Sequence, residues 1–240
     1  MAIVYNTNIV RPGIAFHADF ANPKGISGTT LTDLSNNLSV SLTNPGANTV
    51  NITNGYAEFL PADLTSTATF YTISNSSYFN NIKSEITLET ALYVYSTLGS
   101  TDTINIIRGV SPRVTETGSP LGFSLAADRI TYEVNTNLGW TTGQAIGAAG
   151  VGHNKWVYIT QVTSVIDNSF KTYVNGALVA TLSLAGGIPT NGNGILIGRG
   201  FYAGIKNYHG RVGFVRVYST ALSATQVAQN FNAQRGRFGL

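Results

Sequence analysis

Glu85 and Glu89 are the closest pair of glutamates on one strand-like segment, and their spacing puts both on the same face. Paired carboxylates are what glycoside hydrolysis needs, at a separation of about 5–9.5 Å. Four residues at roughly 3.3 Å each set these two Cα atoms about 13 Å apart, too far for that chemistry. His17, His153 and His209 are widely separated, and none shows the i, i+4 pairing of a helical zinc site. No Gly-x-Ser-x-Gly elbow nominates a serine nucleophile. The glycine-rich run from Gly143 to Gly152 lacks the Lys and Ser or Thr of a phosphate loop, and it leads into a strand-like segment instead of a helix. Asp19, Asp33, Asp102 and Asp167 are dispersed, with no contiguous calcium loop. The chain has no Cys, which excludes a thiolate nucleophile, a disulfide framework and cysteine-held metals. The expectation is a non-enzymatic chain with no catalytic residues, no metal and no cofactor.

Recognition chemistry has better candidates. Sugars are bound by exposed aromatics beside amides, and Trp140, Tyr202, Asn207 and Tyr208 fall in glycine-rich, turn-like segments. These four are the glycan-binding candidates. Covering a sheet edge or a subunit contact is the other role open to them. Asn37, Asn51 and Asn75 each begin a glycosylation sequon in an Asn-rich chain.

Composition narrows the field. Charged residues are 10% of the 240, against roughly 25% in an average soluble protein. That argues against a coiled coil, a helical bundle or a charged disordered tail. Through Asp167 there are 11 acids and 7 bases, a net of −4; Asn168 to Leu240 carries 7 bases and no acid, which returns the overall +3. The bases are scattered instead of clustered among aromatics, which argues against nucleic acid. Acid-bearing and base-bearing strands alternating in one sheet would explain the asymmetry. No window approaches the ~20 apolar residues of a membrane span, and the opening residues do not have the pattern of a secretion signal.

Apolar and polar residues alternate at period two almost throughout, the mark of half-buried strands. Ile14, Phe16, Ala18 and Phe20 share one face; Ile86, Leu88, Leu92 and Val94 share another; Val212, Phe214 and Tyr218 share a third. Turn signals separate these runs, among them Asn54-Gly55 and Asn175-Gly176. Asn175-Gly176 predicts a type I′ hairpin. Ser223, with Gln226 three residues on, predicts a capped C-terminal helix with an apolar stripe of Val227, Ala228 and Phe231, stopped at Gly236. About a dozen strands and one short helix predict an all-β, two-sheet antiparallel β-sandwich. The domain is expected to span residues 13–240, behind an N-terminal segment of residues 1–12.

Several stretches carry a family likeness. Lys155 to Ile159, Lys171 to Val179, Ile197 to Gly200, Gly210 to Tyr218 and Ala221 to Ser223, with Ala15 to Pro23, Leu31 to Ser35 and Ile86 to Val94 upstream, resemble the laminin-G-like, concanavalin-A-like jelly-roll family. The closing run from Gln229 to Phe238 is similar to the tail of such domains in tailed-bacteriophage virion proteins. Leu31-Thr32 stands where many members have Trp before Asp-Leu-Ser, and the calcium-binding acids of the animal branches have no match here. The resemblance implies the jelly roll and a non-enzymatic virion protein, foremost a capsid decoration protein on the particle surface, assembled in the host cytoplasm. Its expected partners are the major capsid protein or another virion protein, a second and third copy of itself as a trimer, and host glycans, with no nucleic acid and no membrane. Docking is expected through Ala2, Ile3, Val4, Tyr5, Ile9, Val10, Arg11 and Pro12. The alternative is a carbohydrate-binding module of fibre or lectin type that attaches to cell-surface polysaccharide.

Overall fold

The computed structural model describes residues 8–35, 38–43, 49–60, 69–73, 82, 84–95, 103–109, 122–126, 129–136, 139–141, 153–184, 195–198 and 208–240. Between 103 and 141 the description is of backbone alone. Two antiparallel sheets form a β-sandwich. The larger has eight strands, in the order β15 (Ala177–Ser183), β14 (Ser169–Val174), β13 (Trp156–Ser164), β8 (Glu85–Val94), β17 (Gly210–Tyr218), β6 (Tyr56–Leu60) and β5 (Thr49–Thr53), with β1 (Ile14–Asp19) pairing the later half of β17. The second has seven: β12 (Gly139–Thr141), β11 (Arg129–Thr136), β10 (Gly122–Ala126), β9 (Thr103–Gly109), β16 (Ile195–Ile197), β7 (Phe70–Ile73) and β4 (Val40–Thr43). A small ribbon joins β2 (Ile26–Ser27) to β3 (Thr30–Leu31).

Alternation explains the core. Phe16, Ala57, Phe59, Leu88, Leu92, Val157, Ile159, Val212, Val215 and Val217 project from the inner face of the larger sheet onto Tyr71, Ile73, Ile195 and Ile197 of the second. Phe59 meets Tyr71 edge to face at 6.3 Å, a geometry aromatic pairs favour. The Asp33-Leu34-Ser35 turn, one of the stretches behind the family likeness, is organised by its buried aspartate. Asp33 accepts from the backbone N–H groups of His17, Ser35 and Leu38 and from the Ser35 hydroxyl, which fixes the loop against β1.

The hairpin at Asn175-Gly176 forms as expected, with φ of 50° and 78° at its two turn residues, the left-handed values a type I′ turn demands. The helix, α1 (Ala224–Phe238), has the expected capping box: Gln226 N–H donates to the Ser223 hydroxyl and the Gln226 side chain accepts from Ser223 N–H. It ends later than Gly236. Gly236 lies within the last turn, and Gly239, at φ 67°, is the left-handed cap, because a helical glycine costs only about 1 kcal/mol while tertiary contacts hold the turn. The strand count also rises, to seventeen among the described residues. Two- and three-residue strands such as β2, β3, β12 and β16 are too short to show a period.

The largest departure concerns faces. One apolar face per strand was expected, yet the outer face of the larger sheet is also buried, under α1. That is why the helix buries Asn230 and Gln234 together with Val227 and Phe238, whereas Ala228 and Phe231 of the expected stripe are half-buried. The sheet beneath it carries polar and charged side chains.

Candidate functional site

On the outer face of the larger sheet, residues in register across neighbouring strands make parallel rows. Tyr218 of β17 and Val162 of β13 pack with Val227 of α1. In the next row His17, Arg216, Glu89 and Thr160 stand across β1, β17, β8 and β13. The third holds Asp19, Phe214, Ala91 and Tyr158. Phe231 meets Tyr158 edge to face at 5.6 Å and Phe238 packs on Phe214 at 6.0 Å, closing that row. Gly213 gives Phe238 its seat: a Cβ there would lie 2.4 Å from the ring.

The fourth row lies past the end of the helix. Glu58 of β6, Arg211 of β17, Tyr93 of β8 and Trp156 of β13 are aligned in register, and all four are half-buried. Tyr56, two residues before Glu58, and Tyr95, two after Tyr93, project from the same face. The Arg211 guanidinium carbon sits 4.7 Å from the centre of the Tyr56 ring, 5.0 Å from Tyr93 and 5.3 Å from Tyr95, all within cation–π range. Trp156 packs on Tyr56 and Tyr93 at 5.8 and 5.7 Å, and Phe238 borders it at 4.7 Å. His209 lies against Tyr95 at 4.8 Å.

Glu58 ties the cluster together. Its Oε1 accepts from Arg211 Nε at 2.8 Å and from the Tyr95 hydroxyl, while Oε2 bonds no group among the described residues. Partial burial pushes the Glu58 carboxyl up, but the hydrogen bonds from Tyr95 and Arg211 outweigh it and hold its pKa below the ordinary value. Glu58 is therefore ionised at neutral pH. Burial, with the bonded Glu58, pushes the Tyr95 phenol up to about 12. Burial also lowers His209, so its imidazole is neutral at pH 7. Three half-buried tyrosines, a tryptophan and a fixed donor–acceptor pair form a surface of apolar ring faces beside polar edges.

Structural supports hold it in place. The Asn54-Gly55 turn, with φ of 48° and 82°, delivers Tyr56, and Arg237 at the end of α1 clamps that turn by donating to the carbonyls of Gly55 and Gly213 while pairing with Asp19 at 2.8 Å. From below, the Tyr208 hydroxyl lies 2.9 Å from the Arg211 carbonyl and 3.1 Å from that of Tyr93.

That placement corrects one sequence candidate. Tyr208 is 1% exposed and packs on Phe59 at 5.7 Å, so it supports the row and presents no stacking face. Its turn-like surroundings misled, because a buried phenol can satisfy its hydroxyl on loop and strand-end carbonyls. Tyr202 and Asn207 lie outside the described residues, and of Trp140 only the backbone is described, in the edge strand β12. Ala2, Ile3, Val4 and Tyr5 also lie outside them. Ile9 and Val10 are buried in this chain's own fold: Val10 N–H donates to Asn230 at 2.7 Å and its carbonyl accepts from Tyr218 at 3.2 Å. They anchor the N-terminus to α1 instead of offering apolar surface, while Arg11 and Pro12 are exposed. Among the described residues no cluster of His, Cys, Asp and Glu could hold a metal, and no helix is long and apolar enough to cross a membrane.

The row of Tyr56, Glu58, Tyr93, Tyr95, Trp156 and Arg211 was not anticipated. Its signal was present in the alternation: Tyr93 falls on the face opposite Leu92 and Val94, and Tyr56 and Glu58 opposite Ala57 and Phe59.

Comparison with known proteins places the fold. The profile of the concanavalin A-like lectin/glucanases superfamily matches residues 65–228, more than half of the chain. Among curated proteins, none matches the sequence. The chain is similar to the binding domain of botulinum neurotoxin DC in complex with SialylT, at 17% identity and TM-score 0.66, covering 92% of this chain and 51% of that one. It is similar to the binding domain of Paraclostridial mosquitocidal protein 1, at 15% identity and TM-score 0.69, covering 92% and 52%. It is also similar to Trypanosoma rangeli sialidase in complex with the inhibitor DANA, at 12% identity and TM-score 0.66, covering 93% and 33%. The chain thus spans about half the length, or less, of these structures.

Proposed function

The chain belongs to the concanavalin A-like lectin/glucanases superfamily, and we propose that within it the chain is a non-catalytic, lectin-like domain whose ligand is a glycan. The observation that carries this reading is the row left open beyond α1, where Tyr56, Tyr93, Tyr95 and Trp156 surround the Glu58–Arg211 pair. A pyranose has an apolar C–H face and a rim of hydroxyls that both donate and accept. The rings suit the first, and a carboxylate beside a guanidinium suits the second. Solved neighbours described as binding domains support the reading. Fold alone would not, since one sandwich serves many functions.

A glycan microarray followed by calorimetry on the full chain tests it. A bound sugar should lose affinity about threefold to tenfold with Tyr56→Ala, the worth of one stacked ring, while the melting temperature stays close to that of the parent. Absence of any retained glycan, or a Tyr56→Ala chain that binds as before, would overturn the proposal.

A virion ornament is a separate proposal, supported by the likeness of residues 229–238 alone. Those residues form most of α1 and include Asn230, Gln234 and Phe238 of its buried face, and the described apolar residues of its docking segment, Ile9 and Val10, are occupied internally. Copy number of the chain in purified particles tests it: a stoichiometry near that of the capsid protein supports the ornament, and absence from particles ends it.

A further inference from the structure

We propose that the row selects uncharged sugars and rejects acidic ones, with Glu58 as the residue that sets this specificity. The inference rests on the glycan-binding reading and adds the ligand class. An arginine caged by aromatic rings ordinarily favours a carboxylate, which its planar fork can hold through two parallel hydrogen bonds. Arg211 is already committed: its Nε donates to Glu58 Oε1 at 2.8 Å, and the Tyr95 hydroxyl donates to the same oxygen. Its charge is balanced within the site. Any ligand carboxylate that reached the remaining edge of the guanidinium would stand within a few ångströms of the Glu58 carboxylate, and like charges at that range repel strongly at a partly buried surface.

Hydroxyls meet no such penalty. Glu58 Oε2, which bonds no group among the described residues, accepts one hydroxyl proton while the outer edge of Arg211 donates to a neighbouring hydroxyl oxygen. Adjacent hydroxyls of a neutral pyranose fit this donor–acceptor pair, and the ring face lies over the tyrosines. His209 adds no positive charge at neutral pH to offset Glu58. A rejected acid is therefore a product of the site's own carboxylate, which makes the specificity separable from affinity for sugar as such.

The test uses the full chain and a panel of uronic- and sialic-acid oligosaccharides, each beside its methyl ester, which keeps the shape and removes the charge. Calorimetry at pH 7 and low salt should show the esters binding at least tenfold more tightly than the free acids. Glu58→Gln should shrink that ratio to less than threefold, chiefly by improving the acids. Free acids that bind as tightly as their esters, or a ratio untouched by Glu58→Gln, would overturn the inference while leaving glycan binding intact. If neutral members and esters also fail to bind, the glycan reading falls and the inference falls with it.

Discussion

Two arginines five residues apart on one strand, both projecting from the outer face of the larger sheet, make the same pair with a glutamate on a neighbouring strand. Arg216 and Glu89 are entirely buried, with Nε and Oε2 3.6 Å apart. Arg211 and Glu58 keep 28% and 16% of their side-chain surface and meet at 2.8 Å. Each guanidinium lies over aromatic rings, Phe214 in one case and three tyrosines in the other. What separates them is α1, which covers one and stops short of the other. Under the helix, Glu89 receives Asn230 at 2.9 Å and Thr160 at 3.3 Å, and Arg216 donates to Tyr158 at 3.0 Å. Full burial pushes the Glu89 carboxyl up, against the pull of Arg216. The covered pair is thus a fixed element of the interior. The other pair carries the same chemistry with one carboxylate oxygen, Glu58 Oε2, that bonds no group among the described residues, so coverage by α1, not residue type, distinguishes the two pairs.

The largest effect expected from this contrast is at Arg216. Arg216→Ala leaves a buried carboxylate without its cation and should cost about 3–5 kcal/mol in urea unfolding. Replacing both partners, as Glu89→Leu with Arg216→Met, should cost less than Arg216→Ala alone, because no charge is then stranded. A loss under 1 kcal/mol for Arg216→Ala would put the two pairs in one class and break the comparison.

Gly213 marks the border between the regions, and its replacement is expected to come next in size. The Cβ of Gly213→Ala would meet Phe238 at 2.4 Å, so the last turn of α1 must shift, at about 1–3 kcal/mol. Phe238 also borders Trp156. The Trp emission should move to longer wavelength as that ring gains water, and unchanged emission with unchanged stability would mean that α1 ends without shaping the open row.

His17, across from Arg216 in the covered row, should give the stability curve its acid slope. Burial, followed by the charges of Arg216, Arg237 and Arg11, lowers its pKa from 6.5 to about 3. Folding then keeps the imidazole neutral where the unfolded chain binds a proton. This contribution is complete above pH 6.5 and is lost as pH falls towards 3, with a slope of about 1.4 kcal/mol per pH unit. Glu89, raised in the fold, acts in the opposite sense at pH values above 4.5, its ordinary value. His17→Gln should flatten the curve between pH 6.5 and 3 whatever it does to stability at pH 7. An unaltered slope would mean that the covered row admits protons as readily as the open one.

Much of this organisation could be read from the residues, and the part that could not has a common cause. Alternation gave the sandwich, Asn175-Gly176 gave the hairpin, and Ser223 with Gln226 gave the start of the helix, since each depends on neighbours in sequence. Part of the excess of acids early and bases late has the expected explanation, since Glu58 and Glu89 pair with Arg211 and Arg216 across neighbouring strands, while Asp19 pairs with Arg237 of the helix instead. Which outer-face residues are covered depends on where α1 lands, up to 218 residues away from the partners it seals. So Tyr93 and Trp156 looked like ordinary strand residues. Tyr208, by contrast, looked like a loop aromatic because nothing local showed that its hydroxyl would reach the carbonyls of Tyr93 and Arg211.

The smallest expected effect is the most informative about the open row. A double-mutant cycle on Glu58→Gln and Arg211→Gln should return a coupling of about 0.2–1 kcal/mol in stability, the range for partly solvated pairs. That coupling should fall as salt is raised from 0.01 to 1 M, because ions reach the pair and the Debye length shrinks from roughly 30 to 3 Å. The same salt range should leave the Glu89–Arg216 coupling almost unchanged, since no ion enters beneath α1. If the Glu58–Arg211 coupling is instead large and indifferent to salt, the row is sealed in solution by residues that cover it, and a sugar could reach Glu58 Oε2 only by displacing them. If it is small and salt-sensitive, the pair stands ready at the surface. Its coupling is then of little consequence to the fold, and its geometry, held by Tyr208 below and by Arg237 at the Gly55 turn, is accessible to a ligand of the kind proposed.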